Sequence, residues 1–567
     1  MRFLREIYSF RSLPIAVLVG LIGAHSPGAL AEDSLKDGYC DPYKNYSCLD
    51  TYLGTDVLER FFNYYILEVG HGTAPADPNA PPGRRDDWPR AAATVPPMAY
   101  SEWPAGALTY IGVTRPNSAD SPLMVAIANT DAGKWLADNH IQIYGWVEAG
   151  FNVSTNPAGR YTNNPVAYTY SADSVDLNQA VVYVERLPDT VQTDHIDWGF
   201  RASAIYGNDY RYTNSYGLGS YQFNKDNKAN GWDLPMEYID IYDPFIAQGF
   251  NLRFGRYISI PDIEAQLAPN NLTYVHSITY AWDNYTNNGI VGSLQVTKDI
   301  MWQLGIDDGT ETPIWHSGLN IRNQFNSAAS VAAGGPATDV LYPGSTYPKD
   351  PGNQPSVVTC LQVKWNDGWD TFYPCIDGIN KANWGYNNLQ WHGFTYYHRF
   401  NDEWHVDFES YYLSEHGVVN ILNSEALAIY NAGGTPFSPQ NIPKNSTNLA
   451  ACKSSQLTCD VWAASALMYL NYTPNPLNNV SLRLEYYNDP QGWRTGVANY
   501  DLHGTEYFDT AISWQVWLSP QIEFRPEISY WKSFEVNAFG SSSNGVAASP
   551  GTKNGMVEFA ADVTIHF

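Results

Sequence analysis

Stretches of two-residue alternation recur along this chain, and the connections between them are short and long by turns without a break. The clearest stretch is residues 556–567, M-V-E-F-A-A-D-V-T-I-H-F. Val557, Phe559, Ala561, Val563, Ile565 and Phe567 fall on one face; Glu558, Asp562, Thr564 and His566 fall on the other. A period of two means a strand with one oily and one wet face. Residues 141–154 behave alike, with Ile141, Ile143, Val147, Ala149, Phe151 and Val153 opposite Gln142, Tyr144, Trp146, Glu148 and Asn152. Fourteen such strands can be read: 141–154, 176–187, 195–207, 235–243, 250–258, 289–297, 300–308, 388–400, 404–413, 461–473, 479–489, 506–518, 521–533 and 556–567. The short connections are 188–194, 244–249, 298–299, 401–403, 473–478 and 519–520. The long ones are 155–175, 208–234, 259–288, 309–387, 414–460, 490–505 and 534–555. A soluble sandwich has no reason to keep that parity. A transmembrane barrel does: short turns on one side, long loops on the other, strands of ~9–11 tilted residues, and an even count.

The start of the chain reads as a secretory leader, residues 1–31. Arg2, Arg5 and Arg11 precede the apolar run 13–21, and Ala29-Leu30-Ala31 offers a small-residue cleavage site. Nothing else approaches 18 consecutive apolar residues, so a membrane location cannot be helical. Closed barrels are the remaining option, because lipid offers no partner to an open sheet edge. The formal net charge is −26, and removing the leader makes it more negative. That argues against nucleic acid as a partner. The 41 Tyr and 19 Trp suit a protein with many rings at a boundary between water and oil.

Residues 32–140 do not read as barrel. Thr55 or Asp56 can cap a helix running to about Leu67, the stretch 73–97 is a Pro- and Ala-rich linker, and another short helix fits within 123–136. Either a periplasmic extension or a lumen plug fits this segment. The six cysteines make three close pairs, Cys40 with Cys48, Cys360 with Cys375 and Cys452 with Cys459. They read as local disulfides that staple loops after export, the last two pairs within the long connections.

Several segments together resemble the putative β-barrel porin-2, OmpL-like family. They are I-Y-G-W-V-E-A-G-F-N (143–152), N-Q-A-V-V-Y-V-E-R (178–186), W-G-F-R-A-S-A-I-Y-G-N-D-Y-R (198–211), G-R-Y-I-S-I-P-D-I-E-A-Q (255–266), R-L-E-Y-Y-N-D-P-Q-G-W-R-T-G (483–496) and R-P-E-I-S-Y (525–530). The likeness covers most of 141–567 and implies an outer-membrane barrel described as a porin.

The expected fold is therefore all-β: a closed antiparallel transmembrane β-barrel over 141–567, of about fourteen strands within a range of twelve to sixteen, behind an N-terminal non-barrel extension with short helices. If the oily residues face outward, the lumen receives Glu148, Glu185, Asp197, Arg201, Arg253, Asp407, Glu409, Arg483, Glu485, Glu523, Arg525, Glu527, Glu558 and Asp562. An outward basic residue at midplane would cost ~2–4 kcal/mol. Such a lumen is either a charged, water-filled pore or a self-satisfied ion-pair network that closes it. The third long loop, 259–288, is the constriction candidate, carrying Asp262, Glu264 and Asp283. No metal or cofactor is expected. Residues 226–237 place Asn230, Gly231 and Glu237 at EF-hand offsets, but Lys228 stands at a ligand position. His405, Asp407 and Glu409 share one strand face and could hold a cation, yet a solvated wall explains them as well. No G-x-S-x-G occurs and no enzyme is expected. The expected function is a porin of a Gram-negative outer membrane, passing small hydrophilic solutes or ions by diffusion with a weak preference for cations. The alternative is a closed barrel acting as a surface receptor or adhesin. Expected partners are outer-membrane lipid and the barrel-assembly machinery, which would read Phe567 as an assembly signal; trimers are common among porins, so a homotrimer is also expected.

Overall fold

In a computed structural model of the chain, each of the fourteen alternating stretches becomes a stave of one closed wall. The structure describes residues 53–68, 121–156, 162–213 except 191, 230–309 except 261 and 285, 355–380, 389–431 except 402, 449–542 except 476, 477 and 520, and 549–567. The leader, the linker 73–97, the pair Cys40 and Cys48, and the first four residues of the EF-hand-like run, 226–229, lie outside the described residues.

The staves in chain order are β1 (Ile141–Ser154), β2 (Val175–Arg186), β3 (Asp197–Gly207), β4 (Glu237–Asp243), β5 (Phe250–Ile258), β6 (Thr286–Thr297), β7 (Ile300–Asp307) and β8 (Ser356–Trp365). Then come β9 (Asp370–Ile379), β10 (Gln390–Arg399), β11 (Trp404–Asn420), β12 (Thr458–Asn475), β13 (Asn478–Asp489), β14 (Thr505–Ser519), β15 (Ile522–Ser533) and β16 (Gly555–His566). Two fragments join the same sheet: Gly231–Asp233 pairs with β3 ahead of β4, and Leu449–Ala450 pairs with the end of β11. Consecutive staves pair antiparallel, and β16 pairs antiparallel with β1. At the seam Trp146 stands opposite His566 and Ser154 opposite Glu558. The Phe567 N–H donates to the Gly145 carbonyl at 2.9 Å and the Gly145 N–H returns the bond at 3.1 Å. No stave is left with an open edge, which is the condition for a sheet in lipid.

Sixteen staves are two more than the fourteen read from the alternation. Both extra ones, β8 and β9, lie inside the connection read as 309–387. Their turn runs through Asn366 and Asp367, at φ 53° and 55°, the left-handed backbone that a tight hairpin needs. This corrects the placing of one disulfide. Cys360 and Cys375 stand opposite each other in register on β8 and β9, so their bridge lies in the wall and not in a loop. Cys452 and Cys459 are also joined, across the end of the long connection that precedes β12.

The wall is inside out relative to a soluble protein. Val147, Phe151, Ile239, Phe254, Ile306, Ile512, Ile528 and Phe559 are exposed, while their polar neighbours in the alternation are buried. No described helix is long and apolar enough to cross a membrane.

Three helices sit by the seam: α1 (Val57–Glu68), α2 (Pro122–Ile127) and α3 (Asp131–Asp138). Asp56 caps α1, its carboxylate accepting from the Leu58 and Glu59 N–H groups at 3.0 and 3.2 Å. Arg60 is fully buried and donates to the Val125 carbonyl at 3.0 Å, tying α1 to α2. Ser121 Oγ donates to the Ile143 carbonyl on β1, and the Tyr65 hydroxyl donates to the His566 carbonyl. These contacts hold the helices at the short-turn end of the wall, where the chain enters and leaves the barrel.

Candidate functional site

The lumen is occupied by the connection between β5 and β6. Its described residues within 259–284 are almost all buried, including a short helix, α4 (Ile278–Ala281). A loop carries backbone N–H and C=O groups that must find partners once it leaves water. Here the wall supplies them. Glu409 on β11 accepts from the Ile263 N–H at 2.8 Å, Glu527 on β15 from Val275 at 3.1 Å, and Glu485 on β13 from Ile278 at 3.0 Å and also from Thr279. Arg525 donates to the carbonyls of Ala268 and Asn271 at 2.6 and 3.0 Å, and Arg483 donates to that of Val275. Gln179 on β2 exchanges bonds with Gln266 and Ala268 at 2.7 and 3.2 Å. The Tyr411 hydroxyl donates to the Thr279 carbonyl at 2.6 Å. The loop therefore touches β2, β11, β13 and β15, and it reaches across the lumen.

Close approach matters on β1. A Cβ at Gly150 would lie 2.2 Å from the Tyr274 hydroxyl oxygen, so the absence of a side chain there makes room for the loop. Tyr274 in turn donates to Asn178 Oδ1 at 3.0 Å. The first long connection folds over the same region: Tyr168 stacks on His276 with centroids 3.7 Å apart and bonds Gln266 at 2.6 Å.

The structure places the sequence-selected wall residues as follows. Glu148, Glu185, Arg201, Arg253, Asp407, Glu409, Arg483, Glu485, Glu523, Arg525, Glu527, Glu558 and Asp562 are all buried and on the lumen side; Asp197 is buried near the short-turn end. Each arginine among them is paired with at least one carboxylate. Arg201 meets Glu185 at 2.6 Å, Arg253 meets Asp240 at 2.9 Å, and Arg483 meets Asp509 at 2.5 Å and Glu527 at 3.4 Å. Arg525 serves three carboxylates, Asp562 at 2.6 Å, Glu148 at 3.2 Å and Glu523 at 3.7 Å. Sequence reading passed over Asp240, Arg256 and Asp509, although flanking outward residues such as Ile239 and Ile241 mark Asp240 as inward. Arg256 pairs with Asp233 at 2.9 Å.

The three loop carboxylates divide. Glu264 turns back on the loop, accepting from the Ser277 N–H at 3.1 Å and from the Tyr469 hydroxyl. Asp262 and Asp283 come together, and Glu409 of the wall joins them; one oxygen from each of the three lies within 4.8 Å of the others. His405 and Asp407 are not part of this group. Asp407 accepts from Asn471 at 2.8 Å, with His405 at 3.8 Å. On the loop, burial first and the neighbouring carboxylate second hold Asp262 and Asp283 well above the usual carboxylate range: Glu409 raises Asp262, and Asp262 raises Asp283.

A match to a protein family agrees with this architecture. The family described as "Putative beta-barrel porin-2, OmpL-like" matches residues 140–567. No curated protein sequence matches the chain. Among solved structures, the anion-selective porin from Comamonas acidovorans is similar at 8% identity over 75% of this chain and 99% of its own, with a TM-score of 0.42. The outer membrane channel DcaP of Acinetobacter baumannii is similar at 9% identity over 75% and 97%, with a TM-score of 0.40. Salmonella typhi OmpF, in complex with daunomycin, is similar at 8% identity over 76% and 99%, with a TM-score of 0.40.

Proposed function

Since the chain belongs to this porin-2 family of outer-membrane β-barrels, we propose that it is a narrow porin whose lumen is constricted by the loop between β5 and β6, passing ions and small hydrophilic solutes by diffusion. The observation that carries the reading is the crossing of the lumen by a loop whose backbone is held by wall side chains from several staves. A porin built so would admit little at rest, because the wall charges are engaged rather than hydrated. Asp262, Glu264 and Asp283 are the constriction, and Glu148, Arg483, Glu485, Arg525 and Glu527 are the wall it closes against.

The same engagement favours one other reading, a closed barrel that acts as a receptor or adhesin through its long loops. Planar-bilayer recording of the purified full chain separates the two. Steps of small, stable size fit the porin; silence from protein that is folded and heat-modifiable fits the receptor. Replacing residues 262–283 by a short glycine-serine linker should enlarge the steps, since that loop is the obstruction. Steps of unchanged size in the shortened protein would put the constriction elsewhere and end the assignment of this loop.

A further inference from the structure

We propose that Asp262, Asp283 and Glu409 form a site for one divalent cation, of the calcium class, that bolts the inward loop to the wall. Three observations carry it. First, one oxygen from each carboxylate lies within 4.8 Å of the other two. Oxygens that share one calcium ion, each at about 2.3–2.6 Å from it, lie no more than about 5.2 Å apart, so the triangle can hold that ion. Second, each carboxylate is only half used. Asp262 Oδ2 accepts from Ser259 Oγ at 3.1 Å, Asp283 Oδ1 from the Asn284 N–H at 2.6 Å, and Glu409 Oε2 from the Ile263 N–H at 2.8 Å. That leaves Asp262 Oδ1, Asp283 Oδ2 and Glu409 Oε1 buried without a hydrogen-bond donor. Asn284 adds a neutral oxygen of the same kind: its Nδ2 is committed to Asp377 at 3.0 Å and its buried Oδ1 has no partner. Buried oxygens left in this state are costly unless a proton or a cation reaches them.

Third, no described Lys or Arg makes an ion pair with any of the three, whereas Glu185, Asp233, Asp240, Asp509 and Asp562 each have an arginine. Arg494 comes nearest, but it donates to the carbonyls of Trp282 and Asp283. The donor set is all carboxylate and amide oxygen, which suits a hard cation and excludes a thiophilic one. Asp262 stands near the start of the loop and Asp283 near its end, while Glu409 is on β11, five staves along the wall from β6. One ion would thus close the base of the loop and fix it across the lumen.

The experiment uses the purified, folded full chain, stripped with a chelator and dialysed against calcium. The expected result is about one calcium retained per chain with a dissociation constant no weaker than the ~0.1–1 mM of extracellular calcium modules. Glu409→Gln with Asp262→Asn should weaken it by at least about tenfold. Asp194→Asn, at an exposed turn, should leave it unchanged. Equal retention by the wild type and the double variant would overturn the site, and so would retention of none by the wild type. If the double variant does not fold, terbium titration of the wild type decides. Trp282 adjoins Asp283, so bound terbium should show tryptophan-sensitised emission that saturates at about one equivalent and is displaced by calcium; emission that is absent or unsaturable refutes the site. The binding does not depend on the reading as a porin. Conductance that rises on chelation supports both, and binding with unaltered conductance upholds the site while counting against the constriction.

Discussion

Arg525 shows what a single lumen residue does. Its guanidinium meets Asp562, Glu148 and Glu523 and also donates to two carbonyls of the inward loop. Arg525→Ala would strand three buried carboxylates and two loop carbonyls at once. Breaking a buried pair from one side costs about 3–5 kcal/mol, mostly through the charge left behind. The variant is expected to lose its folded, heat-modifiable form at a distinctly lower temperature than wild type, read by gel shift across a heating series; an unchanged transition would mean that water already reaches those carboxylates. Phe567 acts differently. Its hold on the seam is a pair of backbone bonds with Gly145, which alanine can also make, while its ring lies against that glycine. Phe567→Ala should therefore change the stability of the folded barrel little and lower the amount that reaches the outer membrane, because the lost ring is the proposed signal to the assembly machinery. Equal membrane yield, quantified by fractionation, would remove that role.

At the scale of elements, period-two patterning made the fourteen staves legible, and with them the inward phase of Arg483, Glu485, Arg525 and Glu527, because a one-residue slip would put charges into lipid. The hairpin β8–β9 was hidden by Pro374, which lacks an N–H and argues against an interior strand, and by the Gly-, Pro- and Asn-rich run before it. The Asn-Asp-Gly at 366–368 was the available signal. What no local pattern could reveal is that Glu409 meets Asp262 and Asp283, since that contact depends on the path the loop takes across the lumen. This loop should respond to pH. Docking raises the pKa of Asp262 and Asp283 above the ~3.9 of a free aspartate. A carboxyl whose pKa is raised by docking favours the docked state when protonated, so docking is strongest below the free value and weakens as pH rises through the raised ones. The groups facing this pair are Glu409 on β11, Asp377 on β9 through Asn284, and Arg494 at the carbonyl of Asp283. In chelator, conductance should grow as pH is raised from about 4 toward neutrality, and calcium should reverse that growth by replacing the lost protons. Conductance that falls with rising pH in chelator would mean the loop is held by something other than this pair.

For the whole molecule the sheet satisfies its own backbone, the oily side chains face outward, and the charge is left to the lumen and the loops. The chain carries 58 acidic against 32 basic residues, and the lumen shares the imbalance: Arg525 alone is set against Glu148, Glu523 and Asp562. Unequal fixed charge in a low-dielectric wall concentrates counter-ions of the opposite sign. A moderate preference for cations is therefore expected, read as the reversal potential under a KCl gradient. It should be moderate because Arg201, Arg253, Arg483 and Arg525 each neutralise part of the field. It should also fade with salt, since the screening length is ~10 Å at 0.1 M, comparable with a pore radius. Glu485→Gln with Glu527→Gln tests where the selecting charge lies. Both residues accept backbone N–H groups of the loop; a glutamine carbonyl at 527 can keep the bond from Val275, whereas at 485 it can keep only one of the two from Ile278 and Thr279, so the exchange removes both charges at the cost of one loop bond. The expected outcome is a reversal potential shifted toward anions with little change in conductance. A large rise in conductance would show that the loop depends on these two carboxylates for its hold across the lumen. An unshifted potential would move the selecting charge to Asp262, Asp283 and Glu409, where occupation by calcium should then abolish the preference that the free carboxylates create.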